Sequence, residues 1–368
     1  VKKCFFFTEA IYVDKSAPEG GVRMCTLDFL KLLEEQYEVN IIKLAFRKDF
    51  LFKVKSRLGI DTYDYYSERK FNEILNGLEV DNNTFFAFNM TQTLNLTKVA
   101  KNRFGDRIKI IMLSHGNETG DFVHTYTRFF TEQPIIKRFT SSYKLGSLLK
   151  KEAYYKRNYI DLVLNVSEIE DSIEKWLNAP KSYFIPRTVI PNFLVMRPTL
   201  GRVGFLGDLS HYPNYFAVDA ICNILNQKNI KVDFRLIGKG GEKLKAKYKF
   251  INYLDFLEDE ALENELKTWS SFLNIAFYYS RGVSTKLGKA LSLGLPIIST
   301  EIGVRGYQWD QGKILIGNTP EQVCELIENN VFVEEKIKHA IEQTHLISAS
   351  TPSYAQIMKK LKVIIDSL

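Results

Sequence analysis

The chain has 368 residues, 45% hydrophobic and 25% charged, which is the make-up of a soluble globular protein and too long for one ordinary core. Its net charge of +7, from 50 Lys and Arg against 43 Asp and Glu, suits an anionic ligand or membrane surface, and no aromatic-basic signature of a nucleic-acid binder stands out. No apolar run approaches the roughly 18 to 20 residues of a membrane-spanning helix; Cys4, Cys25, Cys222 and Cys324 form no CxxC pair and share no ligand spacing with the histidines, so no disulfide frame, metal site or bound cofactor is expected.

The first apolar stretch is too short and too soon polar for a secretory signal, and reads as a strand in a cytoplasmic protein. Cys4 to Phe7, Val39 to Leu44, Phe85 to Phe88, Ile108 to Leu113 and Leu162 to Val166 each read as a fully buried strand. Arg23 to Glu35 and Leu94 to Arg103 carry helical periodicity between them. Pro186 and Pro191 stand in a polar stretch and mark a linker. The alternation then resumes, with strands at Arg202 to Leu206, Val232 to Ile237, Phe250 to Tyr253, Leu273 to Phe277, Pro296 to Ser299 and Ile314 to Ile316. Helices are expected at Tyr215 to Leu225, Glu260 to Trp269, Thr285 to Leu293, Glu321 to Glu328, Val333 to Gln343 and Tyr354 to Leu368. Apolar strands separated by helices imply parallel sheets covered on both faces. The fold class is therefore α/β, with two Rossmann-like doubly wound domains at residues 1–192 and 193–348, and a final helix, 349–368, packing back on the first domain. Ligands of such sheets lie at the carboxyl ends of the strands, so the cleft between the two domains is the expected site.

Candidate site residues follow in chain order. Gly20 and Gly21 close the loop from Ser16 that leads into the first helix, where glycines let backbone N–H groups approach a phosphate, or simply permit a tight turn. Phe46 to Ile60 interleaves Phe46, Phe50, Leu51, Val54 and Leu58 with Arg47, Lys48, Lys53, Lys55 and Arg57, the two faces of a helix lying on an anionic bilayer or of an ordinary surface helix. Further basic clusters, Lys137-Arg138, Lys150-Lys151 and Lys156-Arg157, also fall in the first half. Asp61 and Asp64 read as solvated loop carboxylates. His115 ends the fourth strand, where its imidazole could serve as a general base or only bond within its loop; Glu118 and Asp121 are alternative bases. Gly207 after the first strand of the second half, Gly238 to Gly241 with Lys239, and Tyr253 at the end of its strand repeat the strand, glycine loop and helix arrangement. Arg281, Ser284, Thr285, Lys286 and Lys289 crowd positive charge around a helix start, which becomes favourable when a phosphate lies against it. Gly303 and Gly306 form the loop after the next strand.

The segment from Ser284 through Lys286, Lys289, Gly294 and Pro296 to Thr300, with Gly303 and Gly306 behind it, resembles the donor-site signature of the GT-B glycosyltransferases of the family-4 type. Asp161 to Glu168 is similar to that group's last first-domain strand, Ile190 to Asn192 to its linker, and Val203 to Gly207 to the opening strand of its donor domain. The resemblance implies a nucleotide-sugar as co-substrate, bound by the second domain. It also implies a glycan or lipid-linked acceptor on the first domain, no metal, and retention of anomeric configuration. Lys286 matches the lysine that holds the donor diphosphate, and His115 the histidine near the transferred sugar. Arg281 and Lys289 stand where the family has two glutamates eight apart. Bacterial-type surface polysaccharide or glycoconjugate synthesis is the implied setting, on the inner face of the cell membrane if the basic helix docks there. Another GT-B reaction, an epimerase or phosphorylase, or a catalytically silent partner subunit are the alternatives.

Overall fold

The computed structural model describes residues 2–14, 16, 20–57, 63–128, 130–279 and 281–368, and only the backbone of 56, 57, 125 and 128. Its described strands form two six-stranded sheets, parallel throughout. In the first, β1 (Lys3–Glu9), β2 (Glu38–Leu44), β3 (Thr84–Asn89), β4 (Lys109–Ser114), β5 (Leu162–Asn165) and β6 (Ser182–Phe184) run in the order β2-β1-β3-β4-β5-β6. In the second, β7 (Arg202–Leu206), β8 (Asp233–Ile237), β9 (Ile251–Asp255), β10 (Ser271–Asn274), β11 (Ile297–Ser299) and β12 (Leu315–Ile316) run β12-β11-β10-β7-β8-β9. The chain divides into two compact units, Val1–Ile185 with Arg281–Val283 and Ala355–Leu368, and Pro186–Ser280 with Ser284–Tyr354.

Phenylalanine makes the core of the first unit. Side chains alternate along a strand, so Phe5 and Phe7 share a face of β1, and Phe86 and Phe88 share a face of β3 beside it. Phe7 stacks on Phe88 at 4.8 Å between centroids, and Phe5 meets Phe86 edge-on at 5.6 Å. Every residue of β3 is buried, as a strand covered on both faces requires. β2 departs from its expected full burial: it is an edge strand, paired only with β1, and Leu44 is its one buried residue. The helix Tyr354–Asp366 buries Ile357, Leu361 and Ile365, spaced four apart, within this unit. It is tied there by Lys2 to Asp366 at 3.2 Å and by Lys360 lying 4.9 Å from the Tyr183 ring centroid.

The second unit begins with an extended segment whose backbone bonds to its own unit: Arg187 N to Gly306 O (2.9 Å), Asn192 N to Ser292 O (2.7 Å) and Leu194 N to Leu293 O (3.0 Å). Gly204 in β7 has a packing cause, since a Cβ there would collide with the buried Trp269 ring. The helix Thr285–Leu293 has the bounds its sequence dictates. Ser284 caps its start by accepting from Leu287 N at 3.4 Å, and Gly294 closes its end at φ +71°.

Candidate functional site

The strand order of the second unit reverses between β7 and β10, and polar groups gather at the carboxyl ends of β7, β10 and β11. Lys286, in the first turn of Thr285–Leu293, is half-buried. Its Nζ donates to Asn214 Oδ1 at 2.8 Å and lies 4.3 Å from the Phe205 ring centroid. A Cβ on Gly207 would come within 3.3 Å of Lys286 Cδ, so the glycine leaves the lysine its channel. Burial, then the like charge of Arg305, pushes the Lys286 ammonium down to about 7. Ser284 Oγ donates to Asn274 Oδ1 at 2.8 Å; Asn274 Nδ2 in turn donates to Gly303 O at 2.7 Å and to Ser299 Oγ at 3.0 Å. Tyr307 donates to Ser284 O at 3.1 Å. The helix start is thus fixed to two strand ends, with Lys286 and the buried Arg305 near it. A lysine ammonium partly withdrawn from water beside a helix N-terminus favours an anion against it.

The first unit reverses its strand order at β1 and β3, and His115 sits just beyond β4 beside that point, 7% exposed. Asn89, the last residue of β3, donates from Nδ2 to Thr8 Oγ1 (2.9 Å) and Thr26 Oγ1 (3.1 Å). Its Oδ1 therefore accepts from His115 Nε2 at 2.6 Å, which assigns the ring proton to Nε2 and leaves Nδ1 as the basic nitrogen. Phe29 braces the ring edge-on at 5.9 Å. Glu118 opens the helix Glu118–Arg128; burial raises its carboxyl, against the opposing pull of Arg281 and hydrogen bonds from Gln92 and Tyr65. Arg281 groups with this unit and stands 3.8 Å from Asp121.

Beneath the His115 loop lies a buried ionic cluster. Glu152 and Lys156 come from the helix Ile135–Tyr159, and Glu170 and Glu174 from Glu168–Trp176, all 0% exposed. Lys156 pairs with Glu152 (3.3 Å) and with Glu174. Lys156 therefore belongs to no basic surface cluster, as its neighbours in sequence suggested; two carboxylates hold it inside. Burial raises Glu152 to about 7 despite Lys156.

Other candidates have plainer surroundings. Lys239 is exposed and pairs with Asp208 at 3.2 Å. Tyr253 donates to Asp255 at 2.9 Å, and its ring covers Gly241. Lys289 is exposed while Lys286 is half-buried, so these two do not share one environment, and Arg281 groups with the other unit. Gly303 is a packing glycine, because a Cβ there would collide with Asn274 O. Gly20 caps the helix Gly21–Glu34 in extended backbone with nothing near its missing Cβ, so neither φ nor space demands glycine there. Ala17, Pro18, Glu19, Leu58 to Ile60, Asp61 and Thr62 lie outside the described residues. Asp64 is ion-paired with Arg47 and Lys55, both at 2.6 Å. Arg305, Asn214, Asn274, Asn89 and Glu170 were missed in the sequence. Arg305 alone carried a signal, a charged residue inside the Gly303–Gly306 loop.

Residues 201–330 match the family model described as Glycosyl transferases group 1. Solved structures of similar fold include HepE of Anabaena with UDP and glucose (12% identity, TM-score 0.59, 100% of both chains) and TarM (11%, 0.62, 99% of this chain and 98% of that one). A sucrose-phosphate synthase from Thermosynechococcus elongatus is another (11%, 0.62, 100% and 99%). No curated protein matches the sequence. The fold is that of these two-domain glycosyltransferase structures, and the matched residues 201–330 hold Lys286, Gly207 and Arg305.

Proposed function

We propose that the chain moves a sugar from a nucleotide-sugar, UDP-linked in the first instance, to a glycan or lipid-linked acceptor, with retention and without a metal. The observation that carries it is Lys286, in the first turn of a capped helix with its Nζ on Asn214 and over the Phe205 ring, in the space Gly207 leaves. In the transfer, the acceptor oxygen bonds to the sugar's anomeric carbon on the face from which the diphosphate departs, which keeps the configuration. The bond from that carbon to the diphosphate breaks with its electron pair left on the phosphate, and the acceptor's proton passes to a base. The charge growing on the diphosphate is met by Lys286, Arg305 and the helix N–H groups; Arg281 adds a cation and His115 Nδ1 a base. HepE solved with UDP-glucose and S. aureus TarM solved with UDP and α-GlcNAc-glycerol support the choice of donor class. Calorimetric titration with UDP, GDP, CMP and their sugars, then product analysis by mass and anomeric NMR, tests it. Absence of binding by every nucleotide refutes it.

We also propose that the first unit docks on anionic membrane from the cytoplasmic side. Phe50 (77% exposed), Leu51 and Val54 project from the helix Phe50–Arg57, and Ile135 and Ile136 (both 80%) with Phe139 from Ile135–Tyr159. Phe46 is not part of the first ridge, since it bridges to Tyr66 and packs on Phe52. Arg47 and Lys55 are neutralised by Asp49 and Asp64, leaving Lys48 and Lys53 as the basic residues there among the described side chains. No helix among the described residues is long and apolar enough to cross a membrane. Flotation with phosphatidylglycerol vesicles should carry the protein upward; equal recovery with neutral vesicles refutes anionic docking.

A further inference from the structure

We propose that Glu170 is a positioning residue for the transfer step, one carboxylate that pins the loop bearing His115 to the segment bearing Arg281. The proposal rests on the roles given above to those two side chains.

Glu170 lies in the first turn of Glu168–Trp176, where Ser167 caps the helix by accepting from Glu170 N at 3.2 Å. Its side chain is wholly buried and its two oxygens do different work. Oε2 accepts from Asn117 N at 2.8 Å, two residues beyond His115. Oε1 accepts from Gly282 N at 3.1 Å, one residue beyond Arg281. Both partners lie in the same unit as Glu170. Both oxygens accept from backbone N–H groups, the arrangement a carboxylate with four lone-pair sites serves well.

The fit of the two segments depends on glycine. Gly116 has φ +131°, and a Cβ there would come within 2.6 Å of Arg281 Cβ. Gly282 has φ +77°, and a Cβ there would lie 2.9 Å from His115 O. The backbones therefore meet at a separation that only glycine allows, and Glu170 bonds at Gly282 itself and at Asn117, one residue beyond Gly116.

The rest of the cluster acts on the same loop. Asn117 Nδ2 donates to Glu152 Oε2 at 2.7 Å and to Glu174 Oε1 at 3.4 Å. Thr119 N donates to Glu152 Oε1 at 3.2 Å, Gly120 N to Asn117 Oδ1 at 2.9 Å, and Tyr63 also donates to Glu152. Three carboxylates around one ammonium make a poor core, since buried ions cost several kcal/mol each and apolar residues of similar volume pack more cheaply. What apolar residues cannot supply is a set of acceptors aimed at the backbone of residues 117 to 119 and at Gly282. The cluster sets the position of the groups it holds, and Glu170 is the member that reaches both segments.

The test uses the full chain with Glu170→Gln, which keeps volume but turns an amide N–H toward a backbone N–H, and Glu170→Asp, which keeps charge but is too short to span both. Three quantities are read: amide hydrogen exchange in peptides covering 115–118 and 281–283, UDP affinity by calorimetry, and kcat with KM. We expect exchange to quicken at those two peptides and little elsewhere, UDP affinity to stay within about twofold, and kcat to fall on the order of 10- to 100-fold in both variants, the penalty of about an ångström of misplacement. An unchanged kcat in either variant overturns the proposal, as does exchange that quickens through the whole unit, which would make Glu170 a packing residue. If the wild type transfers no sugar, the functional reading fails by itself, and unaltered exchange at 281–283 would separately refute the pin.

Discussion

Lys286 makes nucleotide affinity a function of pH, and the sign follows from its surroundings. In the unliganded protein, burial and Arg305 hold its ammonium near about 7. A phosphate charge about 4 Å away stabilises the ammonium by about 4 kcal/mol at an effective dielectric near 20, or about 3 pH units, which returns it to roughly 10. Only the protonated lysine gains this energy, so binding takes up a proton above pH 7. Uptake should be about half a proton at pH 7 and about 0.9 at pH 8, and the affinity for UDP should fall by nearly tenfold per pH unit beyond about 8, being about 15-fold weaker at pH 8.5 than at pH 7. The second ionisation of a terminal phosphate, near pH 6, is complete over this range. Titration calorimetry in buffers of differing ionisation enthalpy measures both quantities in one series. Lys286→Met should bind UDP weakly at every pH and abolish the uptake. A wild-type affinity that is flat from pH 7 to 9, or a methionine variant with the same slope, would refute the reasoning.

Three more outcomes are expected. His115→Ala should lower kcat by about 10²-fold or more while leaving UDP affinity intact, read by steady-state kinetics beside calorimetry; an unchanged kcat would reduce His115 to a loop contact. Gly303→Ala should drive a methyl into Asn274 O, with a loss of about 1 to 3 kcal/mol in urea denaturation and a matching fall in melting temperature. Lys156→Met strips the buried carboxylates of their cation and should destabilise the chain by about 3 to 5 kcal/mol at pH 8, measured by denaturant titration. Because Glu152 titrates near about 7, above its ordinary value, its contribution is present at low pH and lost as pH rises through 7, so the methionine variant should regain part of its stability at pH 5.

The parallel architecture was legible because its strands are nearly unbroken apolar runs, and the buried Phe-rich β1 and β3 announce themselves as such. The helix Thr285–Leu293 was legible to the residue, since Ser284 and Gly294 cap it in the way their side chains favour. β2 misled because its Ile41 and Ile42 are as apolar as a central strand's, and edge position is set by the order of pairing, which no local pattern records. The helices Ile135–Tyr159 and Glu168–Trp176 passed unnoticed for a related reason: the first buries a glutamate and a lysine, and the second two glutamates, where periodicity looks for apolar side chains.

The same buried charges explain which half of the site could be read ahead of the fold. On the second unit, the lysine, the cap and the glycines belong to one continuous segment, so their spacing alone suggested an anion. Asn214 then joins from another element to hold the ammonium, and Arg305 adds the like charge that, after burial, lowers Lys286. On the first unit, His115 stood at a strand end and was visible, but the groups that orient it come from far along the chain. Asn89 is 26 residues away, Glu170 lies 53 residues from Asn117, and Gly282 a further 112 from Glu170. Each is an ordinary polar residue in its own window. A basic run such as Lys150 to Arg157 is read as a solvated face by default; here it is Lys156, between Tyr155 and Arg157, that turns inward because Glu152, one turn earlier, and Glu174 supply the counter-charge. Substituting the inward Lys156 and, separately, the exposed Lys150 therefore separates the two uses of that run: the first change should cost stability, the second affinity for anionic vesicles.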